Sequence, residues 1–348
     1  GSQIISPVDA EIHAQIVKVA ETVKINSAAR SSDYEVLDDS LASQYRASVL
    51  ELIDQPASQP KIVYTAMHGV GWATASRLLA DAGFNDVHSV SKQQEPDGKF
   101  PTVAFPNPEE PGALDLALEL AEKLSADLIL ANDPDADRLC VVVRQNGKLR
   151  RLTGDETGLL LGEWAAARAG GLGTLANSMV SCEVLSKVAE HHGLKFEQTK
   201  TGFKWISKVA GLIYGYEEAL GYCVDPKHVP DKDGISAALV IAEMASKQNL
   251  GELLDELYAK YGFYQTSQVS VRFANVAEAK QAFERAVSGL ERDGDMVYWR
   301  PDEKSRVIFR VSGTEPKLKC YLQYVDESMS AAIEGLDALR IMTENRLR

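Results

Sequence analysis

Asp127-Leu128-Ile129-Leu130-Ala131-Asn132-Asp133-Pro134-Asp135-Ala136-Asp137-Arg138-Leu139-Cys140-Val141-Val142-Val143-Arg144 sets two apolar runs around a short acidic loop. Short apolar runs bounded by turn residues read as buried strands, here 127–131 and 139–144. Upstream, 113–124 has helical spacing, and 61–65 and 86–90 are further apolar strands. The Gly69/Gly71 turn leads into a helix over 73–82 that Gly83 ends, and a helix over 41–53 opens the stretch. Pro-rich sequence over 95–111 reads as loop. Strands alternating with helices predict an α/β unit with a largely parallel sheet over residues 41–150.

The alternation continues over 151–264: helix 157–167, strand 175–180, helix 182–191, strand 195–199, a short strand 212–214 and helix 234–245. Residues 265–348 change style, with strands 267–273, 296–299, 306–311 and 319–324 and helices 276–288 and 330–345. The expected fold class is α/β: two consecutive α/β domains with largely parallel sheets, followed by a small α+β C-terminal domain. Residues 1–40 carry a helical pattern over 10–23 and a polar stretch over 26–33, and read as the tail of something begun earlier. The two α/β units show no sequence repeat.

With 348 residues and 45% apolar composition, the chain has room for two or three cores. No apolar run approaches the ~20 residues that span a bilayer, and no signal peptide opens the sequence, so a cytoplasmic location without a membrane partner is expected. Cys140, Cys182, Cys223 and Cys320 are scattered and form no CxxC pair, which fits a reducing compartment and argues against a cysteine zinc site. A formal net charge of -13 disfavours nucleic acid and anionic membranes as partners. An anionic small substrate then requires cations concentrated locally.

Asp133, Asp135 and Asp137 stand at alternate positions and can converge on one hard cation if the loop curls around it, which suits Mg²⁺ or Mn²⁺. Arg138 beside them could hold a phosphate that the metal also touches. A calcium EF-hand begins similarly but wants Gly at position six and Glu at twelve, where Arg138 and Arg144 stand. A haloacid-dehalogenase-type phosphatase also places D-x-D after an apolar strand, but Asp137 and Gly158 fit its pattern poorly. A plain solvated turn is the remaining alternative.

Cations gather at Arg310-Val311-Ser312-Gly313-Thr314-Glu315-Pro316, with Lys317 and Lys319 following. Gly313 permits close backbone approach, Ser312 and Thr314 offer hydroxyls, and Arg310 offers a bidentate contact, so the loop reads as a phosphate cradle or a plain hairpin turn. Glu217 and Glu218, in Gly215-Tyr216-Glu217-Glu218-Ala219-Leu220-Gly221, are suited to vicinal sugar hydroxyls, or form a solvated turn. Lys232, at the mouth of the next helix, is a candidate proton donor or acceptor, a role that calls for a lowered pKa. Thr201-Gly202-Phe203-Lys204 is a further candidate anion-facing turn. His68-Gly69-Val70-Gly71 lacks the third glycine of a dinucleotide loop, Thr74 standing there, so its glycines read as a tight strand-to-helix turn.

Taken in order, these motifs resemble the α-D-phosphohexomutase superfamily of phosphoglucomutases and phosphomannomutases, over nearly the whole chain. Residues 65–71 resemble its second-domain strand and turn, 133–138 its Mg²⁺ loop, 217–221 its third-domain sugar loop and 310–316 its fourth-domain phosphate loop. Two positions depart from it: Ala219 replaces a common Ser, and Lys319 stands where Arg is expected. Glu-Glu-Ala-Leu-Gly-Tyr is closer to the branch with phosphopentomutase-like and bisphosphate-forming members. The family's nucleophilic serine, within Thr-Ala-Ser-His-Asn-Pro, is absent; Thr74-Ala75-Ser76 continues as Arg77-Leu78. Residues 1–40 resemble the end of the missing first domain.

The resemblance implies a phosphosugar mutase that moves a phosphoryl group between C1 and C6, or C5 of a pentose, through a phosphoserine and a bound bisphosphate. Asp133, Asp135 and Asp137 would hold Mg²⁺, Glu217 would read sugar hydroxyls, and Arg310, Ser312 and Thr314 would anchor the phosphate not being transferred. Partners would be a sugar monophosphate and bisphosphate. The chain as given is expected to bind without turnover, and association through surface the first domain would cover is a further expectation. A non-catalytic sugar-phosphate binding protein and a Mg²⁺-dependent phosphatase built on Asp133 are the alternatives.

Overall fold

The computed structural model describes residues 2–24, 31–290, 292–293, 296–311 and 316–347. The N-terminal helix α1 (Val8–Thr22) buries no residue. Its segment touches the body through polar contacts: Gln3 to Asp231 at 2.9 Å, Lys208 to Ser2 at 2.8 Å, and Lys204 to Asp9 at 3.7 Å.

The first sheet is built from α2 (Ser40–Leu50), β1 (Ile62–Thr65), α3 (Gly71–Asp81), β2 (Val87–Ser89), α4 (Asp115–Leu124), β3 (Leu128–Asn132), β4 (Leu139–Gln145) and β5 (Lys148–Arg151). Its strand order is β2-β1-β3-β4-β5. The β2-β1-β3 part is parallel, whereas β4 and β5 return antiparallel, so the sheet is mixed. The acidic residues therefore form the turn of an antiparallel β3–β4 hairpin. All five residues of β3 are buried, as its uninterrupted apolar run requires.

The second unit holds α5 (Gly154–Arg168), β6 (Thr174–Ser178), α6 (Val184–His191), β7 (Lys195–Thr199), α7 (Phe203–Ile206), β8 (Leu212–Glu217), β9 (Gly221–Cys223), α8 (Gly234–Lys247) and α9 (Leu250–Tyr261). Its sheet runs β7-β6-β8-β9, parallel except for β9. A capping box between Thr153 and Glu156 starts α5 three residues earlier than apolar spacing alone suggests. The strand expected over 175–180 ends at Ser178, leaving 179–183 as a loop. Asn249 caps α9, a helix the sequence reading missed. α8 packs on β3 and β4 and α9 on β4, so one apolar core runs through both units.

The last unit contains β10 (Phe263–Arg272), α10 (Val276–Ala286), β11 (Arg292–Asp293), β12 (Met296–Trp299), β13 (Ser305–Val311), β14 (Lys317–Asp326) and α11 (Met329–Leu347). Its antiparallel sheet runs β10-β14-β13-β12-β11. Alternation along each strand divides the side chains between two faces. Val307, Phe309, Leu318, Cys320 and Leu322 join Phe283 and Leu339 of the two helices, whereas Met296, Ile308 and Tyr321 pack on Val180 of the second unit. Among the described residues no helix is long and apolar enough to cross a membrane.

Close approach of backbone fixes the joint between α5 and the β8–β9 turn. A Cβ on Gly154 would lie 1.8 Å from the Glu218 carbonyl oxygen. Gly154→Ala is expected to lower stability by about 3 kcal/mol in chemical denaturation, because neither backbone can yield alone. Gly98→Ala, with nothing within 4 Å of its new methyl, should stay within about 0.5 kcal/mol of wild type.

Candidate functional site

The β3–β4 turn curls because Ala136 takes a left-handed conformation (φ 59°) and its N–H donates to the Asp133 carbonyl at 2.9 Å. The Arg138 N–H then donates to Asp133 Oδ1 at 3.0 Å. This geometry brings one carboxylate oxygen each of Asp133, Asp135 and Asp137 within 4.8 Å of one another. Octahedral ligands at about 2.1 Å from a Mg²⁺-sized ion stand roughly 3 to 4 Å apart, so a modest contraction would complete the set. Asp133 is nearly buried, at 8% exposure. Burial pushes its carboxyl up to about 6, with Asp137 and Asp135 adding to the shift against the Arg138 N–H and guanidinium. An oxygen-only set carrying concentrated negative charge fits a hard divalent cation, which would relieve that repulsion.

Neighbouring elements clamp the turn. Val70 N–H donates to the Pro134 carbonyl at 2.9 Å, and a Cβ on Gly69 would fall 2.2 Å from the Pro134 backbone. The glycine is there for this approach; the left-handed positions of its own turn are Met67 and His68. Asn132 accepts from the Tyr64 hydroxyl at 2.5 Å and donates to the Arg138 carbonyl at 2.6 Å. Gly234, opening α8, donates to the Ala136 carbonyl at 3.1 Å. Asp233 caps the same helix and accepts from Tyr45 of α2 at 2.8 Å.

Arg138 pairs with Gly221 as an isolated bridge, and Leu139 N–H donates to the Leu220 carbonyl at 3.0 Å. The acidic turn and the β8–β9 turn are thus laced together across the two sheets. Lys232 completes the contact, with Nζ 2.9 Å from Asp137 and 3.6 Å from Asp231. Desolvation works against its charge, but the Asp137 and Asp231 carboxylates prevail and raise its pKa. Lys232 is therefore held more firmly as an ammonium than a free lysine, the opposite of the lowered pKa that a proton-transfer role calls for. Arg138 Nε lies 3.6 Å from Asp133 and 3.7 Å from Asp137.

Glu217 and Glu218 face different partners. Glu217 Oε1 accepts from Gly202 N–H at 2.6 Å. Burial raises its pKa, opposed by that N–H and by the charges of Lys232, Arg138 and Arg310. Glu218 turns inward: its Oε2 lies 3.2 Å from the hydroxyls of both Ser178 and Ser181. Burial, then Asp155 and Glu217, push it up to about 7. Lys204, beside Gly202, is turned toward Asp9. Arg310 bonds the Tyr321 side chain and pairs across the ladder with Lys319; residues directly opposite share a face, so these cations face the cleft together. The Lys319 and Arg138 charges both act on Glu109. Ser312, Gly313 and Thr314 lie outside the described residues.

The structure thus gathers Asp133, Asp135, Asp137, Arg138, Glu217, Lys232 and Arg310 around one cleft, and directs Glu218 and Lys204 to other partners. Sequence reasoning missed Asp155, whose carboxylate receives Cys182 N–H at 2.7 Å, Tyr216 hydroxyl at 3.0 Å and Thr266 hydroxyl at 2.8 Å. Only its place inside the Thr153–Glu156 capping box marked it. Ser181, Arg306 and Tyr321 carried no local signal.

Residues 43–147 match the family described as phosphoglucomutase/phosphomannomutase, alpha/beta/alpha domain II, and residues 153–261 match its alpha/beta/alpha domain III. A probable phosphomannomutase of Haemophilus influenzae is 42% identical over 347 residues, covering 92% of this chain and 71% of the relative. A phosphoribomutase of Saccharomyces cerevisiae is 34% identical over 342 residues, covering 76% of this chain but only 55% of the relative. The chain spans about half the length of several such relatives. In fold, a Burkholderia thailandensis protein of the phosphoglucomutase/phosphomannomutase family superposes with a TM-score of 0.73 at 18% identity, over 97% of this chain and 70% of that one. With two consecutive family domains in order and a relative at 42% identity along most of its length, the chain belongs to the phosphoglucomutase/phosphomannomutase family.

Proposed function

We propose that this chain is the cation-, sugar- and phosphate-binding part of a phosphosugar mutase that moves a phosphoryl group between C1 and C6 of a hexose, or C5 of a pentose. The observation that carries the reading is the lacing of the acidic turn to the Glu217 turn through Arg138 and Gly221, with Lys232 between them. It sets a cation site, a hydroxyl-reading carboxylate and a fixed ammonium side by side, with Arg310 near enough to act on Glu217. Relatives named for mannose, ribose and pentose phosphates support a sugar phosphate as ligand.

Phosphoryl transfer needs in-line positioning and charge neutralisation more than covalent help. Mg²⁺, held by Asp133, Asp135 and Asp137, would supply electrophilic stabilisation of the phosphoryl oxygens. Glu217 would accept hydrogen bonds from sugar hydroxyls, and Arg310 with Lys319 would bind the phosphate that is not moving. In the first transfer the serine O–P bond breaks and a sugar O–P bond forms; in the second a different sugar O–P bond breaks and the serine O–P bond forms again. In both, the attacking hydroxyl gives up a proton and the leaving oxygen takes one, so charge is restored; Lys232 could relay that proton only on leaving Asp137, the carboxylate that raises its pKa. The serine belongs to a motif this sequence does not contain, and the chain alone is proposed to bind without turnover.

Calorimetric titration with glucose 1-phosphate should show binding that Arg310→Ala weakens at least about tenfold, the loss of one charge-assisted contact. Unchanged affinity would place the anion site elsewhere, and silence with glucose, mannose and ribose 1-phosphates would overturn the reading. Mn²⁺ titration followed by electron paramagnetic resonance should show one site that Asp135→Asn weakens at least about tenfold; equal binding by the variant would remove the acidic turn as the cation site.

Glu218 yields a pH-dependent expectation. Its folded pKa of about 7 lies above the ordinary 4.5, so the folded state holds the proton more tightly. That contribution to stability is complete below about pH 4.5 and is lost as pH rises through 7. Glu218→Gln has no such proton to lose. Its melting temperature relative to wild type should rise by a few degrees between pH 5 and pH 8, and a constant difference would refute this account.

A further inference from the structure

We infer that Arg306 is a positioning residue for the cleft: it fixes loop 179–183 so that Ser181 sets the Glu217–Glu218 turn at a constant distance from Arg310. Its consequence for ligand rests on the mutase reading above; the coupling itself does not.

Arg306, Ile308 and Arg310 share one face of β13, the face turned to the second unit. Arg306 is 2% exposed, and burying a guanidinium is costly unless its donors are satisfied. They are directed at one loop. Nη2 donates to the Ser181 carbonyl at 2.6 Å and to Gln323 Oε1 at 3.1 Å, while Nη1 lies 3.3 Å from the Met179 carbonyl and 3.4 Å from Glu183. Its Nε finds no acceptor among the described residues, so the fit favours the loop carbonyls over full satisfaction of the cation.

The opposite side of that loop holds the turn. Ser181 Oγ receives the Glu218 N–H at 3.0 Å and lies 3.2 Å from Glu218 Oε2. Cys182 N–H is tied to Asp155 at 2.7 Å, so the loop cannot slide without breaking a buried bond. Docking of the last unit is served by other contacts. The Val180, Met296, Ile308 and Tyr321 cluster provides apolar contact, and Arg300 pairs with Glu183 at 2.5 Å. What Arg306 adds is register: Arg306 to Ser181 to Glu218 links the strand bearing the anion-binding arginine to the turn bearing the hydroxyl-reading glutamate.

Amide hydrogen exchange on the unliganded chain tests the coupling. Arg306→Met should raise exchange in 179–183 and also in 217–221, leaving β1 unchanged, and Arg306→Lys should recover part of the protection. Ser181→Ala should raise exchange in 217–221 while the last sheet keeps wild-type protection; it decides the matter if Arg306→Met does not fold. In calorimetry, Arg306→Met should weaken glucose 1-phosphate about tenfold but inorganic phosphate less than twofold. Wild-type exchange over 217–221 in Arg306→Met and Ser181→Ala would overturn the inference and leave Arg306 as interdomain packing. If the wild-type chain binds no sugar phosphate, the mutase reading falls, and the exchange comparison still decides the coupling.

Discussion

Three carboxylates with oxygens within 4.8 Å of one another repel, and the fold around them exists in a form that holds them there. A hairpin turn left to itself would open to hydrate its acids. This one is pressed by Gly69 on one side and by the first residue of α8 on the other, while Asn132 ties its base to the exit at Arg138. Each clamp comes from a different part of the chain. The clamps on the turn are therefore complete only when Gly69, β3, β4 and α8 are together, and that links the second unit's helices to the first unit's sheet.

The same constraint explains the placement of cations in an acidic protein. With a formal charge of -13, an anionic ligand would be repelled by most of the surface. Arg138, Lys232 and Arg310 are brought beside Glu217 from three separate stretches of sequence, and Lys319 acts with Arg138 on Glu109. Their charge is partly spent on neighbouring carboxylates. A divalent ion taking over Asp133 and Asp137 would release some of it toward a bound phosphate, since those same carboxylates now engage Arg138 and Lys232.

Much of this was legible in the sequence. The β3–β4 stretch declared itself through two apolar runs with an acidic loop between them, and strands alternating with helices gave the α/β units. Less was legible where a residue's role depends on distant backbone. Gly69 read as a tight-turn glycine, yet its purpose is contact with Pro134, 65 positions on. α9 was overlooked even though Asn249 supplies its cap, and α8 reads as part of the second unit although it covers the first sheet as well. Strand direction was also hidden: apolar runs look alike in parallel and antiparallel pairs, so the antiparallel return of β4 and β5 left no mark in the pattern.

Glu217 and Glu218 show why adjacency in sequence is weak evidence of shared work. Read as a dipeptide, they are two equivalent carboxylates for two sugar hydroxyls. At the end of β8, successive side chains point to opposite faces, and the two acids enter different environments. Glu217 stays among Lys232, Arg138 and Arg310, where its charge is supported. Glu218 meets two serine hydroxyls and the buried Asp155, where charge is opposed. A pair that looks redundant is thus divided between a site among cations and the fastening of its own turn. The fastening side leads through Ser181 to Arg306, on the strand that carries Arg310, so the Glu217–Glu218 turn and that strand are joined by buried polar bonds.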